Sequence, residues 1–365
     1  MGLRISNRPA VRIPVVGLLL FSALMGGACT FRPGRDREPR PLVTILTYNA
    51  QNLFDDVSNE SDYPEYNPEN GQWTSDLYRE RLARTAAVIR ESVRGGPDIV
   101  ALQEIENQQV LDALVSRQLA DLGYLHTVLV RSIDSAVNVG IITRLPVLCA
   151  TAYPVTDCFD PVPTRDILQI AIDCSGTRLY LLVCHWKSQS GGTQYTEPLR
   201  LRAAAVVHDR LEAILAENVH AEVLVLGDLN ESVDEWQRTG MQYQTALVLC
   251  NSSLDAPSGS LAVSVDLAAT RASRDGGMLF SPWGKAGTSA GTSGSYWYNG
   301  SWETYDNFLL SAGLLDPEGL SFLDFWVVPH DYLRDRGGHP FGWQLDTGLG
   351  YSDHFPLLLV LANSD

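Results

Sequence analysis

Apolar runs that end abruptly in polar residues are the dominant pattern of the chain. Residues 223–226 are Val-Leu-Val-Leu, and Gly227 ends the run so that Asp228 and Asn230 follow it directly. A short apolar run bounded by glycine is typical of a buried strand. The same pattern predicts strands at residues 42–48, 98–102, 125–131, 137–143, 167–173, 178–184 and 305–311, and in the apolar run after residue 356.

Three other stretches carry apolar residues at helical spacing. The first places Leu82, Ala86 and Ile89 on one face and ends at Gly95. The others cover residues 107–122 and 201–215, whereas the small polar residues of 251–300 predict long loops with one short strand pair. Helices alternate with the early strands and strands dominate late. This order predicts one α/β domain, in which two packed β-sheets are flanked by helices.

Polar residues that suit phosphate chemistry stand at the ends of six predicted strands. Because α/β sheets bind ligands at the carboxyl ends of their strands, we expect these residues to converge. Carboxylate and amide oxygens suit magnesium, and histidines beside acids supply a proton acceptor and a donor near neutral pH. For Asp228 and Asn230 alone, an Asx turn explains the pattern equally well. The residues are Asn49, Glu104, His185, Asp228 with Asn230, Asp306, and Asp353 with His354.

The amino-terminal segment predicts export. Arginines precede an apolar run at residues 13–25, which is short for a membrane span and is followed by small residues and Cys29. This arrangement resembles a bacterial lipoprotein signal, which implies that residues 1–28 are removed, that Cys29 carries a lipid and that residues 29–41 form a flexible tether. Ordinary cleavage after Ala28, followed by secretion, is the alternative. We expect residues 42–363 to form the folded domain, held at a membrane in the periplasm or at the cell surface.

Composition narrows the possible functions. The 365-residue chain has 43 acidic and 27 basic residues, a formal net charge of −16. Such a chain is not a non-specific nucleic-acid binder held by a basic surface, but an acidic enzyme can act on phosphodiesters when bound cations reverse the local field. The cysteines after the predicted signal match no zinc-binding spacing; apart from Cys29 they are Cys149, Cys158, Cys174, Cys184 and Cys250.

Five short sequence motifs occur in a fixed order along the chain, and together they are more specific than any one of them. They are Thr-Tyr-Asn (47–49) with Asn-Leu-Phe (52–54), Ala-Leu-Gln-Glu-Ile-Glu (101–106), Val-Cys-His-Trp-Lys-Ser (183–188), Gly-Asp-Leu-Asn (227–230) and Ser-Asp-His-Phe-Pro (352–356). Through them the chain resembles the endonuclease/exonuclease/phosphatase superfamily over residues 43–360. The resemblance implies a four-layer, deoxyribonuclease-like α/β sandwich and hydrolysis of a phosphodiester with the help of a divalent metal ion.

The resemblance also implies a metal site and a base. Glu104 would bind the metal, with Asn49 close by and Asp353 assisting. The metal would be Mg²⁺, with Mn²⁺ or Ca²⁺ as alternatives. Asp228 would orient or deprotonate the attacking water, and Asn230 would contact the phosphate.

Further roles carried over from the superfamily concern the histidines and the basic residues. His354 would be hydrogen-bonded to Asp306 and would act as base or orienter, whereas His185 would donate to a phosphate or leaving oxygen. Which histidine is the acid stays open at this point. Lys187 and Arg200 would contact the substrate phosphate, although each is equally well explained as a surface charge.

Three substrate hypotheses follow from the resemblance. Bacterial exported nucleases look most similar because of residues 52–55 and 185–188 together with the aromatic hairpin at residues 294–302. A nucleic acid is therefore the expected substrate, and the protein is expected to be a monomer. A sphingomyelinase or inositol-phosphatase activity is the alternative, and the apolar residues 278–283 would then form its exposed lipid-contacting hairpin. A catalytically silent binding module on the same fold would have lost a catalytic group, and none is missing.

Overall fold

The computed structural model of the chain describes residues 42–363 except 60–62, 134, 157–163, 274–276, 287–291 and 329. The predicted signal peptide, Cys29 and the tether therefore lie outside the described residues. Arg40–Asp365 forms one unit by its internal contacts. Within the described ranges, no helix is long and apolar enough to cross a membrane.

Two large mixed sheets and one short hairpin contain the strands of the described chain. In chain order the strands are β1 Leu42–Leu53, β2 Ile99–Ile105, β3 His126–Val130, β4 Asn138–Thr143, β5 Val147–Tyr153, β6 Ile167–Cys174, β7 Thr177–His185, β8 Glu222–Asp228, β9 Leu247–Leu249, β10 Leu261–Ser264, β11 Met278–Phe280, β12 Tyr296–Tyr298, β13 Ser301–Glu303, β14 Asp306–Leu310, β15 Leu320–Val327 and β16 Leu357–Asn363. The first sheet has the order β15-β16-β1-β2-β4-β3, and the second has the order β5-β6-β7-β8-β14-β11-β10-β9. Strands β12 and β13 form the hairpin.

Helices pack against both sheets. The α-helices are α1 Ser75–Ser92, α2 Gln108–Gln118, α3 Thr193–Glu217, α4 Glu235–Arg238, α5 Leu267–Ala272 and α6 Trp283–Ala286. Short 3-10 turns cover Pro68–Asn70, Ala120–Leu122, Ser253–Asp255, Ala312–Leu315 and Asp331–Leu333. Helices α1 and α2 contact the first sheet, and α3 contacts the second. The predicted architecture of two packed sheets with flanking helices is confirmed.

The hydrophobic core lies between the two sheets. Strands β1 and β2 contact β8, and β4 contacts β7. The side chains of Leu46, Leu102 and Leu226 are fully buried there. Central strands that are covered on both faces need apolar residues at consecutive positions, which explains the continuous apolar runs of the sequence.

The structure differs from the sequence-based elements at sheet edges and in residues 251–300. The predicted long loops of that segment contain strands β10, β11 and β12 and helices α5 and α6. The apolar pattern does not predict β5 or β15, which form the outer strands of the second and first sheets. Five consecutive residues of β5 are exposed, so an edge strand of this kind leaves no buried run in the sequence. Residues 278–283, which the sphingomyelinase alternative requires as an exposed hairpin, instead contain β11 and are buried.

Candidate active site

Three neighbouring strands of the second sheet carry predicted site residues at the same level. Strands β7 and β8 are parallel with His185 opposite Asp228, and β14 is antiparallel to β8 with Asp306 opposite Asp228. Gly227 permits this close approach, because its φ is +127° and a Cβ atom there would lie 2.0 Å from the carbonyl oxygen of Cys184. Any side chain at this position would push apart the strands that hold His185 and Asp228.

Asn49 connects this group to the first sheet. Its amide nitrogen donates to Glu104 Oε1 at 3.1 Å and to Asp228 Oδ2 at 3.0 Å. Asn49 and Glu104 lie towards the ends of the parallel neighbours β1 and β2. Residues from both sheets therefore form one site, as their positions at the strand ends predict.

The backbone around Glu104 has an uncommon conformation. Gln51, Asn52, Glu104 and Asn230 all lie in the left-handed region, with φ of 49°, 58°, 60° and 50°. Residues with a side chain rarely adopt these angles, and such residues cluster at functional sites. Here the conformation lets the backbone N–H of Asn52 donate to Glu104 Oε2 at 2.9 Å.

Asp306 and His354 form a buried ion pair. The Nδ1 atom of His354 lies 2.7 Å from Asp306 Oδ2, which also accepts a hydrogen bond from Ser295 Oγ at 2.6 Å. The ring of Tyr296 stacks on the imidazole with 4.5 Å between ring centroids. Burial disfavours the charged ring, but the carboxylates of Asp306 and Asp228 outweigh it and raise the pKa of His354 well above its usual value.

His185 has the opposite electrostatic environment. Burial, together with the positive charges of Arg165, His354 and Lys187, holds the pKa of His185 well below its usual value. Its Nδ1 atom has no hydrogen-bond partner in the described part of the chain. Its Nε2 atom lies 3.8 Å from a Glu104 oxygen and 3.7 Å from Asp228 Oδ2. The ring is therefore neutral, and a hydrogen on Nε2 faces the acidic side of the site.

Asp228 lies at the centre of these groups. Its Oδ1 atom accepts from the backbone N–H of Asn230 at 2.9 Å, and His354 Nε2 lies 3.9 Å from Oδ2. Burial raises the pKa of Asp228 to about 7; His354 opposes this shift and Asp306 adds to it. A carboxylate with such a pKa can accept a proton near neutral pH.

The oxygen atoms around Glu104 suit a hard divalent cation. Burial is the main reason that the pKa of Glu104 is raised, and the charge of Asp353 is the next. A cation between these two carboxylates would relieve their repulsion, with the Asn49 side chain close by. Oxygen-rich sites of this kind are typical of magnesium.

A second acidic group is less suitable for a hydrated ion. Potential ligand atoms of Asp228, Asp306 and His354 lie within 4.8 Å of one another. All three residues are buried, and His354 already pairs with Asp306. Glu104 and Asp353 are partly exposed, and magnesium usually keeps several of its water ligands. We therefore favour Glu104, Asn49 and Asp353 as the residues that would hold the metal.

Comparison with known proteins agrees with this geometry. A model of the endonuclease/exonuclease/phosphatase family matches residues 44–245, more than half of the chain. The chain belongs to the endonuclease/exonuclease/phosphatase family. Members of this family are in general metal-dependent phosphoesterases. No curated protein matches the chain in sequence.

Solved structures share the family fold at low sequence identity. Truncated TDP2 from Caenorhabditis elegans gives a TM-score of 0.52 at 16% identity, over 88% of this chain and 98% of its own. TDP2 from D. rerio, complexed with a single-strand DNA product, gives 0.51 at 16% identity with the same coverage of both chains. A family protein from Bacteroides thetaiotaomicron gives 0.50 at 13% identity, again over 88% and 98%. These likenesses establish the deoxyribonuclease-like fold.

The structure corrects the predicted role of Arg200. This residue is fully buried, so its guanidinium cannot contact a substrate phosphate. It pairs with Glu197 at 2.5 Å and lies 3.4 Å from Glu231, and it donates to the backbone oxygen of Lys187 at 3.1 Å. Burial and the neighbouring Glu197 raise the pKa of Glu231 well above its usual value. Arg200 therefore supports the loops after β7 and β8 from inside the fold.

Replacing Arg200 by alanine is expected to reduce stability. Removing one partner of a buried ion pair leaves an uncompensated charge, so the free energy of unfolding in urea should fall by about 3–5 kcal/mol. Arg202→Ala, two residues along the same helix and partly exposed, should cost less than about 1 kcal/mol. If Arg200→Ala instead raised KM without loss of stability, the buried role would be wrong.

The sequence pattern missed two residues near the site. The charge of Arg165 acts on Tyr63, Glu104, His185 and Lys187. Lys187 is half-buried, and its pKa is lowered by burial and by the positive charge of Arg165. Neither Arg165 nor Tyr63 follows a long apolar run, so only the structure brings them to the site.

Asp306 is expected to keep His354 protonated in the folded chain. Folding raises the pKa of His354. The charged imidazole ring therefore contributes its full stabilisation of the fold below the unfolded-state pKa of about 6.5. That stabilisation is lost as pH rises through the folded-state pKa. Asp306→Asn should move the NMR titration midpoint of His354 to lower pH. Asp316→Asn, beside the exposed His220, should leave that midpoint unchanged; equal midpoints in wild type and Asp306→Asn would contradict the assignment.

Proposed function

We propose that this protein is an exported, magnesium-dependent nuclease that cleaves phosphodiesters of DNA or RNA. The observation that carries the proposal is the convergence of two differently charged imidazoles on one carboxylate. The Nε2 atoms of His185 and His354 lie 3.7 Å and 3.9 Å from the same oxygen of Asp228. A neutral ring, a charged ring and a proton acceptor are the groups that water attack on a phosphodiester requires.

The metal would be held by Glu104, with Asn49 and Asp353 beside it. When bound, it supplies positive charge that stabilises the developing charge on the phosphate oxygens. The partly exposed position of Glu104 and Asp353 gives the ion and its water ligands access. Mn²⁺ or Ca²⁺ would meet the same oxygen donors.

The side chains divide the proton transfers. Asp228 accepts the proton of the attacking water, and the backbone N–H of Asn230 keeps its carboxylate in place. His354, held as an imidazolium by Asp306, donates to the charge that develops on the phosphate or the leaving oxygen. His185 stays neutral and directs an Nε2 hydrogen at the phosphate. The Asn230 side chain donates one hydrogen to the Trp186 oxygen at 3.1 Å, which leaves the other for the substrate.

Two features support a nucleic acid as substrate. Arg165 and Lys187 place positive charge beside His185, where an extended anion would continue past the cleaved phosphate. On the other side, Tyr296 stacks on His354 and on the half-exposed Tyr298, which offers aromatic faces to unpaired bases. A lipid substrate lacks such support, because the apolar residues 278–283 lie in the core.

Export would place this activity outside the cytoplasm. The arginine-bearing amino terminus and Cys29 support removal of residues 1–28 and lipid attachment, with residues 29–41 as a tether to the membrane. Secretion after cleavage behind Ala28 is the alternative. Mass spectrometry of the mature protein distinguishes the two, since only a lipoprotein begins at an acylated cysteine.

The proposal is tested with the purified chain on supercoiled plasmid and single-stranded oligonucleotides, with Mg²⁺, Mn²⁺, Ca²⁺ or chelator. We expect metal-dependent cleavage that chelator abolishes. His354→Ala should reduce it by about 10²–10⁴-fold, as the loss of a general acid does. His208→Ala on α3 is the matched control, because that ring pairs with Glu212 outside the site.

Other outcomes would change the assignment. If the folded chain left all nucleic acids intact with each metal but hydrolysed sphingomyelin or an inositol phosphate, it would be a phosphodiesterase of that class. If it hydrolysed none of these substrates, it would be a catalytically silent binding module.

A further inference from the structure

The loop that ends at Asp353 packs against the carboxyl-terminal part of β1. Residues 341–353, here called the return loop, close on themselves through hydrogen bonds from Tyr351 N to Phe341 O at 2.7 Å and from Gln344 N to Leu349 O at 2.8 Å. This loop ends at Asp353, whereas Glu104 and Asn49 belong to strands of the first sheet. The spacing between these carboxylates therefore depends on how the return loop is fixed to β1.

Gln51 provides the first connection. Its side-chain oxygen accepts hydrogen bonds from the backbone N–H of Trp343 at 2.6 Å and of Asp353 at 3.0 Å. Its own backbone N–H donates to Asn49 Oδ1 at 2.9 Å. One residue in left-handed backbone thus contacts Asn49 on one side and the return loop on the other.

Arg81 provides the second connection from helix α1. Arg81 is 1% exposed, and its guanidinium donates to Tyr351 O at 2.5 Å, to Gln51 O at 2.9 Å and to Ala50 O. The guanidinium lies 4.8 Å from the ring centre of Trp343. Among the residues that the structure describes, no carboxylate forms an ion pair with it. The two terminal nitrogens of this buried guanidinium donate to backbone carbonyls, whereas Nε has no partner in the described part of the chain. The charge fixes the positions of those carbonyls, because losing any of them leaves more of the buried group unpaired.

Two glycines let the return loop fit this closely. A Cβ atom at Gly350 would lie 2.0 Å from the oxygen of Gly342, and a Cβ atom at Gly342 would lie 3.3 Å from Gln51 Oε1. The first contact excludes a side chain at Gly350, and a side chain at Gly342 would crowd the Gln51 carboxamide. The two glycines thus leave the space that the hydrogen bonds of Gln51 to the return loop require.

We propose that Gln51 and Arg81 are positioning residues that set the affinity of the site for its divalent cation. They do so by fixing Asp353 relative to Glu104 and Asn49. Gln51 is not itself a ligand, since its side-chain oxygen already accepts two hydrogen bonds. The inference rests on the proposed metal-dependent function. It attributes part of the metal affinity to residues that do not bind the metal themselves.

The test measures Mn²⁺ affinity of the purified chain by isothermal titration calorimetry, without substrate. Gln51→Leu keeps much of the side-chain volume but removes both accepted hydrogen bonds, and Arg81→Lys keeps the charge but cannot reach three carbonyls. Both should raise the dissociation constant for Mn²⁺ by about tenfold or more, as changes behind metal ligands do. Gln344→Leu, in the exposed part of the same loop, is the matched control and should bind Mn²⁺ as the wild type does.

A purely structural role would give a different result. Gln51→Leu would then lower the melting temperature of the metal-free chain and leave the Mn²⁺ affinity within about twofold of wild type, which would overturn the inference alone. If the wild-type chain bound no Mn²⁺, the proposed function would fail and the inference with it. If Arg81→Lys did not fold, the affinity of Gln51→Leu would decide.

Discussion

Asp228→Asn is expected to lower kcat for phosphodiester cleavage by about 10³-fold. Asparagine has the shape of aspartate but cannot accept the proton of an attacking water. The two hydrogen bonds that Asp228 accepts, from Asn230 N and from Asn49 Nδ2, fix the carboxylate at its present position. Steady-state kinetics on a fluorescent oligonucleotide at saturating metal would measure the loss.

The matched control for this change is Asp173→Asn. The Asp173 side chain accepts a hydrogen bond from Gly176 N at 2.7 Å at the turn between β6 and β7, and an amide oxygen can accept it equally well. Its kcat should equal that of the wild type. Retention of more than about a tenth of wild-type kcat in Asp228→Asn would show that another group accepts the proton.

Glu104→Gln is expected to weaken binding of the metal ion. The change removes a charge that the Asn49 amide and the Asn52 backbone N–H now hold in position. The Mg²⁺ concentration for half-maximal cleavage should rise by about 100-fold or more, because even changes behind a metal ligand cost 10–100-fold. Metal titrations of the cleavage rate, together with direct Mn²⁺ binding, would measure it.

Glu106→Gln separates this effect from a general loss of charge. Glu106 follows on the same segment, but its carboxylate accepts from the backbone N–H of Asp55 at 2.7 Å rather than facing Asp353. Its metal dependence should be that of the wild type. If Glu104→Gln and the wild type required the same metal concentration, the metal would instead bind to the group formed by Asp228, Asp306 and His354.

The convergence of the site residues could be predicted from the sequence because each lies at or near one end of a core strand. Strands covered on both faces must be apolar, so the first polar residue after such a run marks the sheet edge. His185 and Asp228 illustrate this, since they end parallel neighbours in register. The two-sheet architecture followed from the same runs.

The buried polar residues could not be predicted in this way. Charged residues are rarely fully buried, so a helical arginine such as Arg200 is expected at the surface unless its partners are known. One of its partners, Glu231, belongs to a distant segment of the chain. Arg81 was missed for the same reason, because its acceptors are backbone carbonyls that leave no pattern in the sequence. Residues 278–283 show that burial of apolar residues can be missed as well. This apolar segment lies between small polar residues in the sequence, yet it contains a core strand.

The first and last strands of the described chain lie side by side in the first sheet, where β1 pairs with β16. Asn49 lies on the first of these strands, and His354 lies three residues before the start of the last. A chain still under synthesis therefore lacks the proposed proton donor His354 and the proposed metal ligand Asp353 until these residues have left the ribosome. We expect that shorter nascent chains cannot hydrolyse phosphodiesters, so the cell that produces the protein is protected from hydrolysis by them.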